Sequence, residues 1–229
     1  MTRPEDRHPP ELYVRFHEAL RWDEALSSEC SSNPDRRPFE ATAAVFLDRD
    51  GVVNNDGDYV NSADDFELLP GVVRAIRRLN DAGVPVVVVT NQGGVALRYL
   101  TVDELDAVHD KMDRLLAQAG AHVDAVYAAL AHPKGSVAGL SMESWFRKPA
   151  AGMLYQAGDD LGIDLDRSVL IGDTTTDIQA GTAAGCRTVI VRTGFAGRDD
   201  RSTAVPDHMA ADLSAAVDWT LRELDLSPA

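Results

Sequence analysis

Two aspartates one residue apart, Asp48 and Asp50, end an apolar run and are followed at once by a glycine, in Ala44-Val-Phe-Leu-Asp48-Arg-Asp50-Gly-Val-Val-Asn54. In an extended chain residues two apart point the same way, so this pair faces one pocket while Arg49 turns aside. Two carboxylates this close repel, and keeping both ionised at neutral pH calls for a cation. Mg²⁺ suits carboxylate and phosphate oxygen. By itself Asp-x-Asp-Gly also describes a solvated acidic turn after a strand.

Three later residues complete a chemistry. A carboxylate can attack phosphorus once the repulsion between two anions is relieved, and Mg²⁺ held by Asp48, the phosphate and Asp173 would relieve it. The product is an aspartyl phosphate, which water then hydrolyses. Asp50 protonates the leaving oxygen and afterwards takes a proton from that water. Thr90 offers a hydroxyl and Lys148 an ammonium to the transferring phosphoryl oxygens. Each has a plainer reading: Thr90 as a strand-end residue bonding its own backbone, Lys148 as a solvated surface lysine, Asp173 and Asp177 as acids favouring the positive end of a helix.

These residues need elements to carry them. Ala43 to Leu47 has the composition of a strand buried on both faces. A polar loop from Asn54 to Leu69 follows, with Tyr59 and Phe66 as anchors. Pro70-Gly71 then opens a helix with Val72, Ala75, Ile76 and Leu79, capped by Gly83. Val84 to Val89 is a strand ending in Thr90-Asn91-Gln92, and Thr101 with Glu104 forms a capping box ahead of a helix closed by Gly120. Val123 to Ala129 is a strand, a long irregular loop runs through Phe146, and Arg147-Lys148-Pro149 precedes a helix to about Leu161. Ser168 to Ile171 is a strand ending in Gly172-Asp173, before a helix from about Thr176 to Ala184. Thr188 to Val191 is a strand, and Leu213 to Leu224 a final amphipathic helix. Strands alternating with helices imply an α/β fold, a doubly wound parallel sheet whose ligands sit beyond the carboxyl ends of its strands. Asp48, Asp50, Thr90 and Asp173 all stand at those ends.

The first forty residues differ. Pro9-Pro10 could start a helix, with Leu12, Phe16 and Leu20 on one face and Trp22 and Leu26 beyond. Ser27 to Pro38 reads as a linker. Residues 1–40 are therefore expected to form a helical extension, packed on the domain surface or serving as a lid or partner-docking arm, and 41–229 the phosphatase-type domain. If the arm is peripheral, its deletion should leave activity on a generic phosphate ester.

Across the 229 residues, 37 acidic side chains oppose 22 lysines and arginines, a net charge of −15. That field repels nucleic acid and anionic membranes, leaving a small phosphate ester held by metal and a few cations as the fitting partner. Cys30 and Cys186 stand in no metal-ligand spacing. No apolar run is long enough to cross a bilayer and no signal core is present, so a cytoplasmic monomer is expected.

Asp48-Arg-Asp-Gly-Val-Val-Asn54, Thr90-Asn-Gln92, Arg147-Lys-Pro149 with Gly152-Met153-Leu154, and Gly172-Asp173 with Asp177 together resemble the haloacid dehalogenase superfamily. More narrowly they are similar to its branch of heptose bisphosphate and histidinol-phosphate phosphatases, over about Ala43 to Gly194. The resemblance implies Asp48 as nucleophile and Asp50 as acid and base. It implies Thr90 and Lys148 as phosphate ligands, and Mg²⁺ on Asp48, the Asp50 carbonyl and Asp173. The branch usually carries a zinc loop with ligands Cys-x-His and Cys-x-Cys. Those positions fall here on Ala129, Ala131, Ser144 and Phe146, which cannot bind zinc, so zinc is not expected. Packing around Trp145, Phe146 and Leu140 should hold the loop instead, and His132 is read as a structural, backbone-bonded histidine.

No cap-sized insertion interrupts the chain, so no separate cap domain is expected. The pocket is then walled by 54–69, 93–100 and 134–146, and Asn54, Asn91, Gln92, Arg98 and Arg147 are the polar candidates for substrate hydroxyls or a second phosphate. The favoured substrate is a heptose 1,7-bisphosphate or related sugar phosphate. The alternatives are histidinol phosphate and, in another class, a non-catalytic interaction subunit acting through Glu11 to Leu26.

Overall fold

The computed structural model describes residues 8–17, 42–55, 60–199 and 202–225. Seven strands form one sheet in the order β1-β4-β3-β2-β5-β6-β7: β1 Leu12–Phe16, β2 Val45–Leu47, β3 Val86–Asn91, β4 Ala125–Ala129, β5 Val169–Gly172, β6 Arg187–Val191 and β7 His208–Ala210. Every pairing is parallel except that of β1 with β4. The helices are α1 Val72–Asp81, α2 Val102–Ala117, α3 Gly152–Leu161, α4 Thr175–Ala184 and α5 Leu213–Glu223.

Strand alternation divides the core into two layers. Val45 and Leu47 of β2 join Val86 and Val88 of β3 under Ile76 and Leu79 of α1, Met112 of α2 and Val217 of α5. Phe46, Val87, Val89 and Leu170 project the other way, onto Met153 and Leu154 of α3 and Ala180 of α4. Helices therefore cover both faces of a largely parallel sheet, which is the doubly wound α/β fold of the sequence reading. The Thr101 to Glu104 capping box is present in full at the start of α2. Phe66 is buried as an anchor of its loop, while Tyr59 lies outside the described residues.

Two elements depart from expectation. Leu12 to Phe16 is not helical but the antiparallel edge strand β1, with Leu12 opposite Ala129 and Phe16 opposite Ala125. The same five residues, Leu-Tyr-Val-Arg-Phe, also alternate with period two, and pairing with β4 decides between the readings. Leu12, Val14 and Phe16 pack on the α3 side. On the α2 side Arg15 meets Asp106, Asp110 and Asp113. Leu20, Trp22, Leu26 and the Ser27 to Pro38 linker lie outside the described residues. The second departure is β7, three residues without a β-branched run, whose strand character comes from its pairing with β6. Among the described residues no helix is long and apolar enough to cross a membrane.

Candidate active site

The carboxyl ends of β2, β3 and β5 meet at one rim. The chain leaves β2 through Asp48, whose amide still donates to the Ile171 carbonyl of β5 at 3.0 Å. It then turns sharply, the carbonyl of Arg49 accepting from the amides of Val52, Val53 and Asn54. Gly51 makes that turn at φ +82°, and a Cβ there would lie 2.5 Å from a carboxylate oxygen of Asp173. Glycine is required on both counts.

Lys148 is the electrostatic centre. Its ammonium, 4% exposed as a residue, lies 2.9 Å from Asp48 Oδ1 and 2.6 Å from Asp177 Oδ1, and donates to the Val89 carbonyl at 2.9 Å. Two ion pairs and one hydrogen bond thus tie the ammonium to the protein. Burial alone would lower the lysine's pKa, but Asp177 and Asp48 raise it above its ordinary value, so the ammonium stays charged. Burial lifts the Asp48 carboxyl to about 7 against the opposing pull of Lys148. Asn91 fixes the lysine's backbone from both sides: its Oδ1 accepts from Lys148 N at 2.9 Å and its Nδ2 donates to Lys148 O at 3.0 Å.

Asp50 occupies a separate cradle. Burial works to raise its pKa, yet the charge of Arg49 and hydrogen bonds from Asn54, Arg49 and Gln92 hold it below the ordinary carboxylate value. Asn54 Nδ2 donates at 3.0 Å and Gln92 Nε2 at 2.8 Å, and Gln92 also donates to Thr90 Oγ1 at 2.9 Å. Arg49, expected to turn aside, is fully buried and brings its guanidinium back onto Asp50 at 2.9 Å.

Oxygens of Asp48, Asp173 and Asp177 lie within 4.8 Å of one another. Three buried carboxylates this close, with one ammonium among them, form a hard-oxygen donor set that fits Mg²⁺. Asp173 is steadied by the Phe195 amide, which donates to its Oδ2 at 2.7 Å. In the sequence Asp177 reads as a helix-start acid and as part of the motif that carries the family resemblance, with no role in the site assigned to it. It is a helix-start acid, its Oδ2 accepting from Thr174 N and Oγ1 at 3.0 and 2.6 Å, and its other oxygen is the one that meets Lys148. Gly172 permits this approach, since a Cβ there would stand 2.2 Å from the Asp177 side chain.

The structure therefore brings Asp48, Thr90, Lys148 and Asp173 to one rim and adds Asp177 and Arg49. Of the residues expected to contact substrate, Asn54, Asn91 and Gln92 have amides already bonded to site residues: a buried carboxylate or main-chain segment needs such donors, and these are the ones supplied. Arg147 lies against Gly93 and donates to the Ala131 carbonyl at 3.4 Å. Arg98 is exposed, with φ +62°. In the loop without zinc ligands, His132 Nδ1 accepts from the Lys134 amide at 3.1 Å, the backbone-bonded role expected of it. Leu140 is buried, whereas Trp145 is 60% exposed and stacks on Tyr155.

Comparison with known proteins gives a consistent answer. A family model described as HAD-hydrolase-like matches residues 145–216. The chain is 44% identical over 190 residues to the D-glycero-D-manno-heptose-1,7-bisphosphate 7-phosphatase of Thermosynechococcus vestitus, covering 79% of this chain and 96% of that protein. It is 40% identical to the corresponding Yersinia pestis enzyme, covering 81% and 93%. Among solved structures, it is similar to D,D-heptose 1,7-bisphosphate phosphatase from B. bronchiseptica complexed with magnesium and phosphate, with TM-score 0.71, 37% identity and coverage of 80% and 99%. A HAD-like phosphatase structure from Mesorhizobium loti matches at TM-score 0.78 and 31% identity over 99% of both chains.

Proposed function

The chain belongs to the haloacid dehalogenase-like phosphatases and is a phosphatase; from that premise we propose that it hydrolyses a heptose 1,7-bisphosphate at the 7-phosphate, with Mg²⁺, through an aspartyl phosphate. The observation that carries the chemistry is the buried ammonium of Lys148 set between Asp48 and Asp177 beside Asp173. Identity to heptose bisphosphate phosphatases supports the substrate.

Asp48 is the nucleophile. Its attack on phosphorus requires the ionised carboxylate, which Lys148 favours and burial opposes. Asp48, Asp173 and Asp177 are the residues that would hold Mg²⁺, and the Asp50 carbonyl is a further donor by family resemblance. When bound, the ion supplies positive charge that offsets repulsion between nucleophile and phosphate. Lys148 orients Asp48 and can give up one N–H to a phosphoryl oxygen. Thr90, whose oxygen already accepts from Gln92, has its hydroxyl proton left to donate.

Asp50 serves as acid and then base. The cradle of Arg49, Asn54 and Gln92 favours its carboxylate, the form that takes a proton from water in the second step. An arriving phosphate dianion acts oppositely and favours the protonated form needed in the first. Arg98 and Arg147 remain the cations proposed for the substrate's second phosphate.

The test is phosphate release from heptose 1,7-bisphosphate with Mg²⁺, measured beside histidinol phosphate. Preference for the heptose ester is expected, and Asp48→Asn should abolish release while leaving the circular dichroism spectrum unchanged. Wild-type rates in that variant would refute the nucleophile, and preference for histidinol phosphate would refute the substrate.

A further inference from the structure

In the steps above Arg49 enters only as a charge in the Asp50 cradle, yet it is a cation buried to 1% exposure. One edge of its guanidinium grips Asp50, with Nη2 at 2.9 and 3.1 Å from the two carboxylate oxygens and Nε at 3.2 Å from Oδ1. The other edge, Nη1, lies 3.3 Å from His109 Nε2 on α2. A guanidinium only donates, so the imidazole must accept, and its own proton sits on Nδ1. That nitrogen has no hydrogen-bond partner among the described residues.

A buried donor without a partner is costly, and leucine or methionine would fill this part of α2 without the cost. What histidine adds is one acceptor aimed at Arg49. Burial, with Arg49 and Arg15 nearby, keeps the ring neutral, which is the form able to accept. Tyr13 of β1 closes the outer side, its ring 5.3 Å from the imidazole and its hydroxyl on Asp106 at 2.7 Å. The N-terminal strand is thereby tied through α2 and Arg49 to the carboxyl of Asp50.

We infer that His109 is a positioning residue for the reaction, anchoring the Arg49 fork that sets the angle at which Asp50 presents its carboxyl to the leaving oxygen. The inference rests on the reading of Asp50 as acid and base. A two-pronged arginine contact fixes the plane of a carboxylate, but only if the guanidinium cannot swing, and the bond to His109 holds its far edge.

Leaving-group dependence separates this role from a merely structural one. A sugar alkoxide needs the proton from Asp50, whereas p-nitrophenolate departs without it. Because hydrolysis of the aspartyl phosphate is common to both esters, the difference is read in kcat/KM, which reports the step that expels the leaving group: His109→Leu is expected to lower kcat/KM on heptose 1,7-bisphosphate about tenfold, and kcat/KM on p-nitrophenyl phosphate less than about twofold. His109→Gln, whose amide oxygen can accept from Arg49, should recover most of the loss. Arg49→Lys keeps the charge but not the fork, should show the same selective loss, and decides the matter if the leucine variant does not fold. Equal losses on both esters, or a glutamine variant no better than leucine, would overturn the inference. Asp50→Asn is the control and should show the selective loss at about a hundredfold or more. If it does not, the assignment of Asp50 itself fails, a result distinct from loss of selectivity in the His109 and Arg49 variants alone.

Discussion

At the scale of single residues, Lys148 carries the largest electrostatic burden, and its removal leaves two buried carboxylates facing each other. Breaking one member of a buried charge cluster costs about 3–5 kcal/mol. Lys148→Met should therefore lose stability of that order in urea titration, besides losing phosphatase activity; a variant as stable as wild type would contradict the cluster. His109 makes a second case. Its pKa is well below the ordinary histidine value because of burial, so below about pH 6.5 the unfolded chain takes up a proton that the folded chain refuses. Stability should then fall as pH drops from 6.5, with a contribution of up to about 1.4 kcal/mol per pH unit that His109→Gln removes. Urea midpoints of the two proteins at pH 7 and pH 5 measure it, and parallel slopes would count against a neutral buried His109. Asp48, Asp50, Thr90, Lys148 and Asp173 were legible in the sequence because each sits at a strand end or a punctuated turn. Arg49 and His109 were not: alternation puts Arg49 on the opposite side from Asp48, and only the folded position of α2 shows what it meets there.

At the scale of elements, the helices and the parallel strands other than β7 followed from hydrophobic period, breakers and caps, whereas β1 and β7 did not. Leu12 and Phe16 are four apart, as on a helix, and also share one strand face through Val14; five residues cannot distinguish the two. The long-range pairing with β4 can, and it gives the segment a structural part that a peripheral arm would lack. Leu12, Val14 and Phe16 pack against the α3 side, worth together about 5 kcal/mol at ordinary burial values, and removing them would bare the edge of β4. Deleting residues 1–17 should accordingly lower the denaturation midpoint sharply or yield aggregated protein. A truncated chain with wild-type stability and activity would restore the peripheral reading. The cap at Thr101 is the local counterpart: Thr101→Ala should cost about 1 kcal/mol in urea titration with kcat unchanged, since that end of α2 supports the fold and touches none of the reacting groups.

The whole molecule carries fifteen more negative than positive formal charges, and its site gathers three of those carboxylates around one lysine. Such a site should bind a hard divalent ion reversibly, because the fold already holds the carboxylates through Lys148, Thr174 and the Phe195 amide. The loop of 130–146 is different from the zinc loops of the branch it resembles. Ala129, Ala131, Ser144 and Phe146 offer no thiol or imidazole, and the loop is closed instead by main-chain bonds such as Gly135 N to His132 O at 2.8 Å and Ser136 N to Ala96 O at 2.7 Å. A catalytic ion and a structural ion then have opposite signatures. Treatment with EDTA should stop phosphate release without unfolding the protein, and Mg²⁺ should restore the rate. Because Mg²⁺ would bind the folded chain alone, it should also raise stability, by about 2.7 kcal/mol at a hundred times its dissociation constant. Elemental analysis of protein purified without chelator should find zinc far below one equivalent. Stoichiometric zinc, or collapse of the near-ultraviolet circular dichroism on chelation, would mean that a metal ties down a part of the chain which these hydrogen bonds should hold by themselves.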